Sequence, residues 1–166
     1  MIWVRSWRTD PRVRPLADRH YNRQSVGAQD FCPPGRCLVF TTADYGAFWV
    51  TSWPFAEYVK HAWAGAWVCS AFRRETGPLA SAMIRDAVAA TRAHYGEPPE
   101  LGMVSFVDAS KVRRSREPGR VFRLAGFRLV GETKGGLLAY QLPPADMPAA
   151  ERAIGDQASL FAEASP

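Results

Sequence analysis

Lysine is nearly absent. The chain has 166 residues and 21 Lys+Arg, of which only Lys60, Lys111 and Lys134 are lysines. Its positive charge therefore rests on arginine, whose planar fork suits phosphates and base edges better than an ammonium does. Cysteine is scarce as well. Cys32, Cys37 and Cys69 form an odd set, which argues against the disulfide framework that staples small secreted domains. Cys32 and Cys37 flank Pro33-Pro34-Gly35-Arg36, but no second Cys/His pair stands at zinc-finger spacing. The three thus read as small, partly buried thiols. No apolar run approaches the roughly 20 residues that cross a bilayer, and Met1 to Arg8 has no signal-peptide apolar core. The expectation is a soluble, cytoplasmic protein without a membrane partner.

Hydrophobic residues make up 47% and charged residues 22%, which is the composition of a globular domain and not of a disordered chain. The length suits one domain with a core of its own. A net charge of +5 invites a polyanion such as nucleic acid, although so modest a value is also common among proteins that bind none. GC-biased coding would produce the same Arg-for-Lys bias together with the many Ala, Gly and Pro.

Ile2-Trp3-Val4-Arg5-Ser6-Trp7 alternates like a half-buried strand, and Thr9-Asp10-Pro11 offers a cap for a helix running to about Tyr21. Gly27 to Gly35 is loop-like. Cys37–Phe40 and Ala47–Val50 are apolar strands joined by a hairpin turn at Ala43-Asp44-Tyr45-Gly46. Trp53, Phe55, Tyr58, Trp63 and Trp67 crowd an irregular stretch that ends in a strand over residues 67–72. Pro78 to Tyr95 is the clearest helix, with Leu79, Met83, Ile84, Ala87, Val88, Thr91 and Tyr95 on one stripe. A strand over residues 101–107, a short helix or turn at 121–124 and strands over 127–130 and 137–142 complete the pattern. After Pro143-Pro144 the composition turns Ala-rich and acidic, which predicts a mobile tail with a helix from Pro148. No internal repeat is visible. The expectation is an α+β (α/β) domain over residues 1–144, a mostly antiparallel twisted sheet flanked by helices, and a tail over 145–166.

This order, with the string Arg73-Arg74-Glu75-Thr76-Gly77-Pro78-Leu79-Ala80 between a strand and the long helix, resembles the GNAT acyltransferase superfamily. The resemblance implies that Arg73, Arg74, Gly77 and Ala80 cradle the pyrophosphate of acyl-CoA (acetyl-CoA) on free amides at the helix start. Leu79 stands where that pattern has a second small residue, and Pro78 lacks an amide. A narrower resemblance runs from about His20 to Gly131. Arg19-His20-Tyr21-Asn22-Arg23, Phe72-Arg73-Arg74 with Leu79-Ala80-Ser81, Val104-Ser105-Phe106-Val107-Asp108, and Arg120 through Gly131 look like the corresponding strings of the Mom-type phage enzymes. Those are GNAT-like proteins that convert adenine in DNA to a carbamoylmethylated form. Phe122 stands where that family usually has Tyr.

The residues themselves suit this resemblance. Asp108 ends an apolar strand, where it can deprotonate or orient an exocyclic amine or simply cap the next segment. Ser81, in the first turns of the long helix, can bond an anion or a catalytic water, or be an ordinary surface serine. His20 and Tyr21 close the first helix, as site residues or as a helix-end cation and a core ring. His20 and Asp108 alone do not define a metal site, and the metal requirement stays open. Lys111, Arg113, Arg114, Arg116 and Arg120 form a basic loop fit for phosphates of double-stranded DNA, with Arg19, Arg23 and Arg36 adding charge near the N-terminus. The aromatics of residues 53–67 read as core, or as a surface on which an extruded base stacks. In the tail, Gln157-Ala158-Ser159-Leu160-Phe161 resembles the peptide by which bacterial DNA-acting proteins dock on the replication sliding clamp, with Gln157, Leu160 and Phe161 as anchors.

The leading expectation is thus a Mom-like enzyme transferring a group to the adenine N6 amine, protecting DNA from restriction. The alternatives are an acyl-CoA-dependent N-acetyltransferase acting on a small amine or protein, and a non-enzymatic DNA- or clamp-binding accessory protein.

Overall fold

The structure, a computed structural model, describes residues 1–157. Two apolar runs set the centre of its sheet: β2 (Cys37–Thr41) and β3 (Ala47–Ser52) pair antiparallel, with Val39 opposite Val50 and Phe40 opposite Trp49. Cys37–Phe40 and Ala47–Val50 are apolar throughout because both faces of the sheet are covered here, so that alternation of side chains produces no polar side. Leu38, Phe40, Ala47 and Trp49 face one core; Val39, Phe48 and Val50 face another with Val13, Leu16 and Phe31.

Around this hairpin stand β1 (Val4–Ser6), β4 (Trp67–Arg74), β5 (Met103–Val107), β6 (Arg128–Glu132) and β7 (Leu138–Leu142). The order across the sheet is β1-β2-β3-β4-β5-β7-β6, and β4 with β5 is the one parallel pair among these strands. The described chain is thus a mixed α+β domain with a mostly antiparallel sheet. No helix in it is long and apolar enough to cross a membrane.

Three α-helices lie among the described residues: α1 (Arg14–Asp18), α2 (Ala80–Tyr95) and α3 (Arg120–Leu124). α2 buries Met83, Ile84, Ala87, Val88 and Thr91, most of the stripe expected from the sequence. A hydrogen-bonded chain ties it to the sheet: the Trp49 indole N–H donates to Thr51 Oγ1 at 2.7 Å, the Thr51 and Thr91 hydroxyls meet at 3.0 Å, and Thr91 donates to the Ala87 carbonyl at 2.8 Å. Thr51 and Thr91 are fully buried. Thr91→Val leaves the Thr51 hydroxyl without its acceptor, at an expected cost of about 1–3 kcal/mol. Urea denaturation would show this as a lower midpoint at an unchanged slope.

Two expectations are corrected. α1 spans only residues 14–18, because the Asp10 carboxylate accepts from the Arg12 amide at 3.0 Å and from Ser6 at 2.9 Å and so builds a turn. The segment after Pro143-Pro144 is neither helical from Pro148 nor free of the domain as far as Asp156. Met147 and Ala153 are buried, Ile154 bridges Val4 in parallel, and the Ile154 amide donates to the Trp3 carbonyl at 2.8 Å. Asp156 meets His94 Nδ1 at 3.0 Å. Residues 145–156 therefore strap the domain along β1. Of the clamp-peptide residues, Leu160 and Phe161 lie outside the described residues, and Gln157 is the last one within them.

Candidate active site

The neighbouring strands β4 and β5 pair only from Trp67–Met103 to Cys69–Ser105, although both run on beyond. Ser70 explains the parting. Against β3 the register passes from Val50–Ala71 to Thr51–Cys69, so Ser70 is the extra residue of a β-bulge, and a bulge bends its strand. An opening results, and the turn after α1 reaches into it. The Asn22 side-chain amide donates to the Ser70 carbonyl at 2.8 Å, and the His20 ring meets the Asn22 side chain. Tyr21 lines a cleft with Asp108 at the end of β5. The Ser70 carbonyl, which β4 loses to the split, is thereby satisfied.

His20 and Tyr21 stack with ring centroids 4.7 Å apart, and with Asn22 they line a cleft of about 200 Å³ together with Ser105, Val112, Gly119 and Phe122. A second cleft, about 500 Å³, joins Tyr21 and Asn22 to Asp108 and Lys111. Burial, opposed by the Asn22 side chain and the Phe72 backbone and aided by Arg73, lowers the His20 pKa below its ordinary value, so the imidazole is neutral at neutral pH. Burial raises the Tyr21 hydroxyl, which stays protonated. Asp108 behaves otherwise: Ser110 donates to its Oδ1 from hydroxyl and amide, at 2.6 and 3.0 Å, and holds the carboxylate below the ordinary range. It caps the turn that follows, and it is an anion and a weak base. Cys69, buried opposite Ser105 in the β4–β5 register, is pushed up by desolvation and remains a thiol.

The other expected residues distribute as follows. Ser81 lies in the first turn of α2, apart from the clefts around His20, Tyr21 and Asp108. Arg73 donates to Glu75 at 2.9 Å and Arg19 to the same carboxylate at 2.7 and 2.9 Å, while Arg74 donates to the Gly77 carbonyl at 2.9 Å. The Glu75 and Thr76 amides both donate to the Gly46 carbonyl, which fixes the loop to the β2–β3 turn. Ahead of α2 no side chain caps the helix, so the amides of Ala80, Ser81 and Ala82 are free. The exposed Arg74 lies alongside; Pro78 contributes no amide and Leu79 points to solvent. Among the described residues no group of three or more His, Cys, Asp or Glu is placed to hold a metal.

Arg23 does not belong with the candidate phosphate ligands. Its side chain is 8% exposed, paired with Asp18 at 2.9 Å and donating to the Ala28 and Asp30 carbonyls. Arg36 lies over the Trp53 ring at 4.3 Å. In the basic loop Lys111, Arg113, Arg114 and Arg116 are exposed and without an ion-pair partner among the described residues, whereas Arg120 shares Glu117 with Arg123. Gly119 anchors the end of this loop at φ 72°, where any β-carbon would collide with the Tyr140 ring. The crowded aromatics divide: Trp67 is core, Trp53 packs on it and on Tyr95, Phe55 and Tyr58 are exposed, and Trp63 stands beside Phe106.

Sequence reasoning misses Ser70, Asn22 and Cys69. Asn22 stands inside the string that holds His20 and Tyr21; a bulge at Ser70 leaves no local signal, since only the register with β3 reveals it. Compared with known proteins, the chain matches no protein-family model, no curated protein and no solved structure.

Proposed function

We propose that the chain is a GNAT-like, Mom-type transferase that modifies DNA at the exocyclic amino group of adenine. The observation that carries this reading is a pair of adjoining clefts: His20 and Tyr21 from the turn after α1 line one with Ser105 of β5, and Tyr21 and Asn22 also line the second, which holds Asp108 at the end of β5 and Lys111 of the basic loop. The course of β4 through a glycine loop into the long α2 is also what the superfamily resemblance implies.

Roles follow from protonation states. As the amine nitrogen forms its new bond it sheds a proton, and neutral His20 takes it. Tyr21 donates a hydrogen bond, and the Asp108 carboxylate accepts one from the amine and orients it. A bound acyl-CoA, held by the amides of Ala80, Ser81 and Ala82 and by Arg74, would supply an activated acyl group. The target base must leave the duplex to reach the opening, and Lys111, Arg113, Arg114 and Arg116 neutralise the flanking phosphates.

Duplex-DNA affinity is accordingly expected to fall linearly with salt on logarithmic axes. Replacing Arg113, Arg114 and Arg116 together by Ala should make that slope shallower by roughly 2 to 3. An unchanged slope would remove the loop from the DNA interface. The free amides at the start of α2 favour a second reading, acyl transfer to a small amine, which requires no DNA affinity.

A further inference from the structure

On the face of β5 that carries Phe106 and Asp108, a cleft of about 470 Å³ is lined by Lys60, His61, Trp63, Phe106, Lys134 and Leu137, among others. It is continuous with the Asp108 cleft, because Phe106 and Leu137 line both. Its aromatic wall is built. The Trp63 amide donates to His61 Nδ1 at 3.1 Å, which fixes the imidazole and leaves the other ring nitrogen to carry the hydrogen. His61 and Trp63 lie 4.8 and 5.8 Å from the Phe106 ring, and the Trp63 indole rests against Gly131 of β6. All three rings are half-buried and border open space, unlike Trp67 in the core.

The cations around this surface are distinctive. Arginines dominate the chain, and many are tied to carboxylates. The three lysines all line these two clefts, and none has an ion-pair partner among the described residues. Planar rings flanked by two free lysines, against the single carboxylate of Glu132 in the same lining, match a nucleotide: a π-face to stack and a phosphate to neutralise.

We propose that the Trp63–His61–Phe106 cleft is a nucleobase-stacking subsite, receiving the nucleotide next to the one that enters the β4–β5 opening, with Lys60, Lys134 and Lys111 along its phosphates. This deepens the DNA-modification reading and rests on it. Stacking is tolerant of base identity, so the subsite grips the unpaired strand without choosing its sequence. It also gives the extruded strand a course from Lys134 across Phe106 to Asp108.

The test uses a fluorescein-labelled single-stranded oligonucleotide followed by anisotropy, and a second oligonucleotide carrying 2-aminopurine, whose emission is quenched on stacking. Trp63→Ala is expected to weaken binding roughly 5- to 100-fold and to abolish the quench, whereas Trp63→Phe retains both. The exposed double variant Lys60→Ala, Lys134→Ala cannot disturb the core, and it should make the salt slope shallower by roughly 1.4. No oligonucleotide binding by the native protein, no quench, or affinities unchanged in folded variants would overturn the subsite. Should cellular DNA be modified while Trp63→Ala binds normally, the subsite falls and the modification reading stands. Should stacking depend on Trp63 while cellular DNA stays unmodified, the subsite stands and the modification reading falls.

Discussion

Replacing His20 by glutamine is expected to lower the proposed DNA modification about 10²- to 10⁴-fold, the usual loss when a general base is removed, and to leave the protein folded. Glutamine keeps a polar side chain beside Asn22 and the Phe72 backbone but cannot accept the proton. The pH profile separates this role from a merely structural one. Burial lowers the His20 pKa below 6.5, so the basic form persists below that pH and the acid limb of kcat/KM lies under 6.5. The same sign holds for stability: the contribution of neutral His20 is present above the unfolded pKa and lost as pH falls toward the lower folded value. Asp108→Asn should reduce the rate without moving that limb, because the Ser110 hydrogen bonds hold Asp108 below the ordinary carboxylate range. A limb that moves with Asp108→Asn would transfer the base role to the carboxylate.

The second large effect concerns the fold. Trp3→Ala is expected to destabilise by about 3–5 kcal/mol, a fall in Tm of roughly 6–20 °C for a chain of this size. Trp3 is fully buried, its indole N–H donates to the Met83 carbonyl of α2 at 2.9 Å, and its ring meets Phe40 and Phe72. Its backbone carbonyl also holds Ile154 of the strap. One residue thus joins the sheet, α2 and the 145–156 segment, and truncating its side chain empties space at that junction. Trp3→Phe keeps much of the packing and should lose less than half as much. Thermal denaturation followed by circular dichroism measures both; a shift in Trp3→Ala below about 3 °C would contradict the junction's role.

What is legible in the sequence is local. The apolar runs of β2 and β3, the turn at Asp44 and Gly46, and the stripe of α2 all follow from patterns within a few residues, and each stands close to where the pattern puts it. Two departures share one cause. Asp10 has the position of a helix cap, but its carboxylate serves Ser6 and Arg12, and the helix begins only at Arg14. The strap resembles a tail because its Ala-rich, charged composition carries no period. Its order comes from Trp3, Val4 and His94, far away in the chain.

The site is legible in part for the same reason. His20, Tyr21 and Asp108 stand out by type and position, and Tyr21 lines both the cleft that holds His20 and the one that holds Asp108. Why an opening exists is invisible in the sequence, since the bulge at Ser70 depends on pairing with β3. Ser81 and Arg23 show the limit of reading by residue type: one stands at a helix start away from that opening, the other is enclosed by Asp18 and two carbonyls.

The most direct measurement is nucleoside mass spectrometry of plasmid DNA from cells expressing the protein, beside cells expressing Asp108→Ala and His20→Gln. The native chain is expected to leave an added mass on deoxyadenosine, sharply reduced in both variants. Unmodified DNA from cells with the folded native protein would contradict the transferase reading, and so would a modification that both variants leave at the native level.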